Sequence, residues 1–121
     1  MPQVFFVFVE NRVVSTDLVE TLSEAYREAA IVQASSVEGA LEPIKNGPAP
    51  MAVFVCQRLL VAGGSDFSER LDALGCAIGV VNEENRKAKF LSAAWTRLPV
   101  PFSTRDVLRI VPLRNLSGAG T

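Results

Sequence analysis

The sequence predicts a doubly wound α/β fold: a five-stranded parallel sheet in the order 2-1-3-4-5, flanked by five helices. Three observations predict it. Short apolar runs at residues 3–9, 29–34, 51–56, 76–81 and 96–100 mostly lack the polar alternation of a half-solvated sheet, as expected of strands covered on both faces. Segments with apolar residues at helical spacing separate these runs, and such alternation of strand and helix specifies a parallel sheet with crossover helices. Capping and turn residues punctuate the joins between them.

The first strand, residues 3–9, is rich in Val and Phe and is broken by Glu10-Asn-Arg12. Val14, Leu18, Leu22 and Ala25 then recur at helical spacing, so a first helix is expected over residues 14–28, with Asp17 and Glu20 as its capping pair. Residues 29–34 make a short second strand. Ser35-Ser-Val-Glu38 reads as a capping box for a second helix that buries Ala40, Leu41 and Ile44, and Pro43 is expected to bend or end that helix early. Pro48-Ala-Pro50 introduces the central strand, which ends at Cys56.

Residues 57–64 read as a loop, with Gly63-Gly64 as a turn. Asp66-Phe-Ser-Glu69 caps a short third helix that carries Leu71 and Leu74 and closes at Gly75. Residues 76–81 form the fourth strand. A fourth helix opens at Asn82 with Glu83 and Glu84 at its positive end and runs to about residue 94. The fifth strand, residues 96–100, leads to the capping box Ser103-Thr-Arg-Asp106 and a fifth helix with Val107, Leu108 and Val111. The domain is expected over residues 1–113, and residues 114–121 as a flexible tail.

The chain has 121 residues, enough for one domain with a real core. Hydrophobic residues make up 49% and charged residues 21%, a globular balance. A formal charge of −1 offers no basic face for nucleic acid. The pure apolar run at residues 4–9 is far short of a membrane span and has no cationic leader, so the expected location is the cytoplasm. Cys56 and Cys76, each within an apolar strand, suit a reducing compartment. Histidine is absent, which removes His-based acids and bases, Ser-His and Cys-His nucleophiles and most zinc or haem sites. No cofactor and no resident metal are expected.

In an open parallel sheet, ligands gather beyond the carboxyl ends of the strands, at the point where strand order reverses. The loops after Val9 and Cys56 meet there. With the elements placed, the chain resembles a receiver domain of two-component response regulators, a flavodoxin-like fold. Three segments carry the resemblance: Ala34-Ser-Ser-Val-Glu-Gly-Ala-Leu41 in the second helix, Leu71-Asp-Ala-Leu-Gly-Cys-Ala-Ile-Gly-Val-Val81, and Pro101-Phe-Ser-Thr-Arg-Asp-Val-Leu108, which is similar to the family's Lys-Pro-Phe-Ser/Thr segment.

The resemblance implies a phosphorylation site, and this chain departs from it at five positions. The family's acidic pair, which holds Mg²⁺ through hard oxygen ligands, aligns with Glu10 and Asn11. Its phospho-accepting Asp aligns with Cys56, a soft thiol. The switch Ser/Thr aligns with Asn82, the phosphate-pairing Lys with Val100, and the aromatic gate with Arg97. The resemblance also implies a cis peptide at Val100-Pro101. These departures point to a degenerate pseudo-receiver, and loss of the acid cluster relieves its charge repulsion.

The resemblance further implies a docking face on the fourth helix, fifth strand and fifth helix, which here carries Arg86, Phe90, Trp95, Arg97, Arg105 and Arg109. Aromatic and Arg side chains dominate interface hot spots. The expected function is a non-enzymatic, phosphorylation-independent signalling module that docks a protein partner or a second copy of itself in a two-component-type pathway. Two alternatives stay open. One is a thiol-based redox or catalytic role for Cys56, although the Cys-x5-Arg spacing of thiol phosphatases fails at Ala62. The other is small-ligand sensing in the vacated space between Asn11, Cys56, Asn82 and Val100.

Overall fold

The structure, a computed structural model, describes residues 3–82 and 95–111. Its elements run β1 (Val4–Phe8), α1 (Arg12–Ala25), β2 (Ala30–Ala34), α2 (Val37–Asn46), β3 (Ala52–Cys56), α3 (Gln57–Asp72), β4 (Ala77–Asn82), β5 (Thr96–Pro99) and α4 (Thr104–Ile110). The five strands form one parallel sheet in the order β2-β1-β3-β4-β5, as the sequence predicts.

Burial explains why the central strands lack alternation. Every residue of β3 is buried, as are Phe5 to Phe8 of β1, because helices cover both faces of a doubly wound sheet. The edge strands differ: Ala30 and Gln33 of β2, and Thr96, Arg97 and Pro99 of β5, are exposed. The core is built on Phe5, Phe6, Phe8, Phe54 and Phe67 with Leu18, Leu22, Leu71, Ile78 and Leu98. Gly79 lets α4 approach the sheet, since a Cβ there would lie 2.8 Å from Ile110 Cδ1 and 3.1 Å from Phe54 Cδ1.

Several local expectations are corrected. Helix α1 starts earlier, because Asn11 and not Asp17 caps it, and ends at Ala25, where Tyr26 turns to pack on Phe5 with ring centroids 5.2 Å apart. In α2 the cap is Ser36 and not Ser35. Its hydroxyl accepts from the Gly39 N–H at 3.0 Å, so Glu38 is one place short of completing a capping box. Pro43 does not end α2, which continues to Asn46. The carbonyl left without its donor belongs to Gly39, on the exposed side of the helix, where water can serve it.

The largest correction concerns residues 57–63, which are helical and not a loop, whereas Gly64 does break the helix as the expected turn implies. Helix α3 begins immediately after β3 and is interrupted at Gly64, whose non-helical backbone (φ 69°, ψ −165°) divides it into two helical stretches. Leu59, Phe67 and Leu71 are buried on one face, a stripe at spacings of eight and four that the Gly-Gly pair obscures. Gly63 completes that stripe by having no side chain, and the Phe67 ring packs against its backbone. Asp66 does not cap a helix; it pairs with Arg70 one turn on at 3.2 Å.

The capping box Ser103/Asp106 opens α4 as expected, with Val111 as the C-cap and not a helical residue. The Val100-Pro101 peptide is cis. Four helices occur among the described residues; the expected helix at residues 83–94 and the tail at 114–121 lie outside them. No helix of the described residues is long and apolar enough to cross a membrane.

Candidate functional site

Parallel register brings the singled-out positions to one edge of the sheet. Phe8 pairs with Val55, Cys56 with Val81, and Asn82 with Pro99. The β1–α1 turn carrying Glu10 and Asn11, the end of β3 at Cys56, the end of β4 at Asn82 and the turn after β5 at Val100 therefore all lie at the carboxyl edge.

Each described side chain there is committed to the fold. The Asn11 carboxamide oxygen accepts hydrogen bonds from the Val13 N–H at 2.9 Å and the Val14 N–H at 3.2 Å, which satisfies two of the donors a helix start leaves open. Asn11→Ala is therefore expected to lower stability by about 1 kcal/mol in urea melts, and Asn11→Asp to keep the cap. The Glu10 carboxylate accepts from Arg58, the second residue of α3, at 3.3 Å, with both side chains at least half exposed. This ion pair ties the β1–α1 turn to α3 across the mouth of the edge. Its exposure limits its contribution to stability.

Cys56 is 1% exposed and is the N-cap residue of α3. With α3 starting directly behind it, the thiol sits under the helix, and an electrophile or oxidant would need local opening to reach it. Cys76, just before β4, is half-buried, and burial pushes its thiol up to about 11, so it is protonated at neutral pH. The donor set does not suit Mg²⁺, which wants several hard oxygen ligands: Glu10 is held by Arg58, Asn11 caps α1, and Cys56 presents sulfur. No cluster of three or more His, Cys, Asp or Glu able to hold a metal occurs among the described residues.

The expected ligand space between Asn11, Cys56, Asn82 and Val100 includes the side chain of Asn82, which lies outside the described side chains. A cavity of about 290 Å³ opens on the other flank of β1, lined by Val9, Glu10, Arg12, Ser15, Thr16, Gln33, Ala34 and Ser35. Sequence reasoning missed it because the pairing of β1 with β2, Phe8 opposite Ala34, is what joins its two halves. Gln33 within the apolar run Ala30-Ile-Val-Gln-Ala34 was the available signal.

On the expected docking face, Arg97, Arg105 and Arg109 are exposed. Trp95 is corrected: at 7% exposure it belongs to the core, so its indole packs inward and offers a partner little surface. Arg86 and Phe90 lie outside the described residues. Asp106 has its carboxyl held below the ordinary value by the Ser103 N–H donated to it at 2.9 Å, with the Ser103 hydroxyl adding to the effect.

No family model and no curated protein matches the chain. Solved structures do. The chain is similar to a response regulator receiver protein of Sinorhizobium medicae (TM-score 0.76, 16% identity, covering 99% of this chain and 98% of that one). It is also similar to a putative response regulator of Chloroflexus aurantiacus (0.71, 22%, covering 90% and 93%), and to a chemotaxis response regulator of Vibrio cholerae (0.70, 15%, covering 90% and 95%). At these identities the likeness shows the fold, which is that of receiver domains.

Proposed function

We propose that the chain is a receiver-like signalling module that acts by docking a protein partner, including a second copy of itself, and does not run a phosphorylation cycle at the end of β3. The observation that carries this reading is Cys56. The place that the resemblance assigns to the phospho-acceptor holds a thiol that is 1% exposed, and α3 starts directly after it. The neighbouring positions support it. Asn11 is spent on capping α1, Glu10 on Arg58, and Val100 supplies no cation. The structures it is similar to include response regulators, which makes a two-component-type pathway the natural setting.

Docking is assigned to the surface around β5 and α4. Arg97, Arg105 and Arg109 project there from an otherwise slightly acidic chain, and Arg is suited to interface recognition through its planar, multidentate head. The inaccessible sulfur weighs against the thiol-based alternative.

The test is an amide NMR titration with Mg²⁺ followed by beryllofluoride, a mimic of aspartyl phosphate. No localised shifts around Asn11, Cys56 and Asn82 are expected at millimolar ligand. Saturable shifts that start at this edge and spread to α4 would overturn the reading, because they would mean that a phosphate-like switch survives.

A further inference from the structure

The 290 Å³ cavity on the β2 flank of β1 shares Glu10 with the carboxyl edge but lies on the side of the buried β1 strand away from β3 and Cys56. It sits where two strand ends meet two helix starts, but the helix starts are not what could hold a ligand. Asn11 already takes the Val13 and Val14 N–H groups, and Ser36 takes that of Gly39. With these N–H groups engaged, the side chains of the lining are the main donors.

Those side chains converge on one kind of ligand. Arg12 forms no ion pair among the described residues. The acid nearest to it in the lining, Glu10, is instead engaged by Arg58 at 3.3 Å. Ser15 is 8% exposed, and its hydroxyl donates to the Gln33 carboxamide oxygen at 3.2 Å. That bond orients the carboxamide with its oxygen toward Ser15, so that its NH₂ group remains to donate elsewhere. Thr16 and Ser35 add hydroxyl donors at the rim. A guanidinium backed by an amide and hydroxyls is complementary to a planar or tetrahedral oxyanion, which Arg binds through two parallel hydrogen bonds.

We infer that this cavity binds a small oxyanion-bearing metabolite, a phosphate ester or a carboxylate, with Arg12 as its charge partner and Gln33, positioned by Ser15, as its neutral donor. The volume is at the lower end of ordinary ligand sites, so the ligand is small. Binding here would give the module a chemical input in place of phosphorylation.

Inorganic phosphate and succinate are the probes, each titrated into the full chain at constant ionic strength while the amides of Ser15, Thr16, Gln33 and Ser35 are followed. Saturable shifts with either probe support the site, and the probe that binds more tightly identifies the ligand class. Arg12→Ala should weaken that binding about tenfold, whereas Arg70→Ala, a change of the same charge on α3, should leave it unaltered. Arg12 is exposed at the first position of α1, so the variant will fold. No saturable shift with either probe overturns the proposal, as does equal weakening by Arg12→Ala and Arg70→Ala, which would reveal unspecific screening. In the beryllofluoride titration, shifts confined to Asn11, Ser15, Gln33 and Ser35 report on this cavity, whereas shifts at Cys56 that spread to α4 report on the end of β3, so the two readings fail separately.

Discussion

Cys56→Asp, which restores the residue type that receivers carry at the end of β3, is expected to destabilise the chain by about 2–4 kcal/mol at neutral pH. The side chain is 1% exposed, and the cation that the resemblance would place opposite is replaced by Val100. A carboxylate placed here is therefore desolvated without the cation that the resemblance implies; this outweighs what an N-cap at the start of α3 returns, and its folded-state pKa is raised above the ordinary aspartate value of about 3.9. The sign follows from proton binding. Between the unfolded and folded pKa values the folded state binds more protons, so stability falls as pH rises through that window and levels off above it. Cys56→Asn carries a similar shape without the charge and should show no such pH dependence. Urea melts at pH 4 and pH 7.5 read the difference. An aspartate variant as stable as the native chain at pH 7.5 would show that the edge still accommodates an acceptor carboxylate.

The Gly63-Gly64 pair is expected to be the most substitution-sensitive point of α3, for two separable reasons. Gly64 has φ 69° and ψ −165°, a region that is essentially closed to residues with a Cβ, and Gly64→Ala should cost about 1–3 kcal/mol. Nothing lies within 4 Å of a Cβ built there, so this cost is purely one of backbone conformation. Gly63→Ala fails by collision instead. Its Cβ would lie 2.5 Å from Phe67 Cβ and 2.6 Å from Cγ, atoms too near the backbone of a buried residue to swing aside, at a cost of about 1–3 kcal/mol. A double-mutant cycle distinguishes them. Phe67→Gly, which removes both the ring and the Cβ, should relieve Gly63→Ala, giving a coupling of about 1 kcal/mol or more, and should leave the effect of Gly64→Ala unchanged. Equal coupling at both positions would contradict this account.

Much of the fold was legible without coordinates. The parallel sense followed from the alternation of elements, with the order 2-1-3-4-5 as the obvious candidate, and the unbroken apolar runs correctly marked buried central strands. Local signals misled where two compete. Gly63-Gly64 reads as a turn, which Gly64 bears out by breaking the helical run, but it hides that residues 57–63 are helical and that Gly63 accommodates a ring. Pro43 reads as a helix end, yet the carbonyl it deprives is solvent-facing. Trp95 illustrates a third limit: packing into the sheet is the default for an aromatic residue there, but the local pattern alone does not exclude its exposure on a docking face.

The candidate site divides in the same way. The sequence by itself determined which residue types stand at the carboxyl edge: a thiol at Cys56, a carboxamide at Asn11, an aliphatic side chain at Val100, and no histidine anywhere. It also determined the alternation of strands and helices that makes the sheet parallel, because hydrophobic periodicity and turn chemistry are local properties, with the order 2-1-3-4-5 as the obvious candidate for five such strands. Only the tertiary structure decided what those residues do. That Asn11 caps α1, that Arg58 holds Glu10, that α3 starts directly behind Cys56, and that Arg12 and Gln33 share a cavity all depend on contacts across strands and turns. Side-chain partnership is set by the register of paired strands and the direction of each helix start, and these emerge only when the whole core packs.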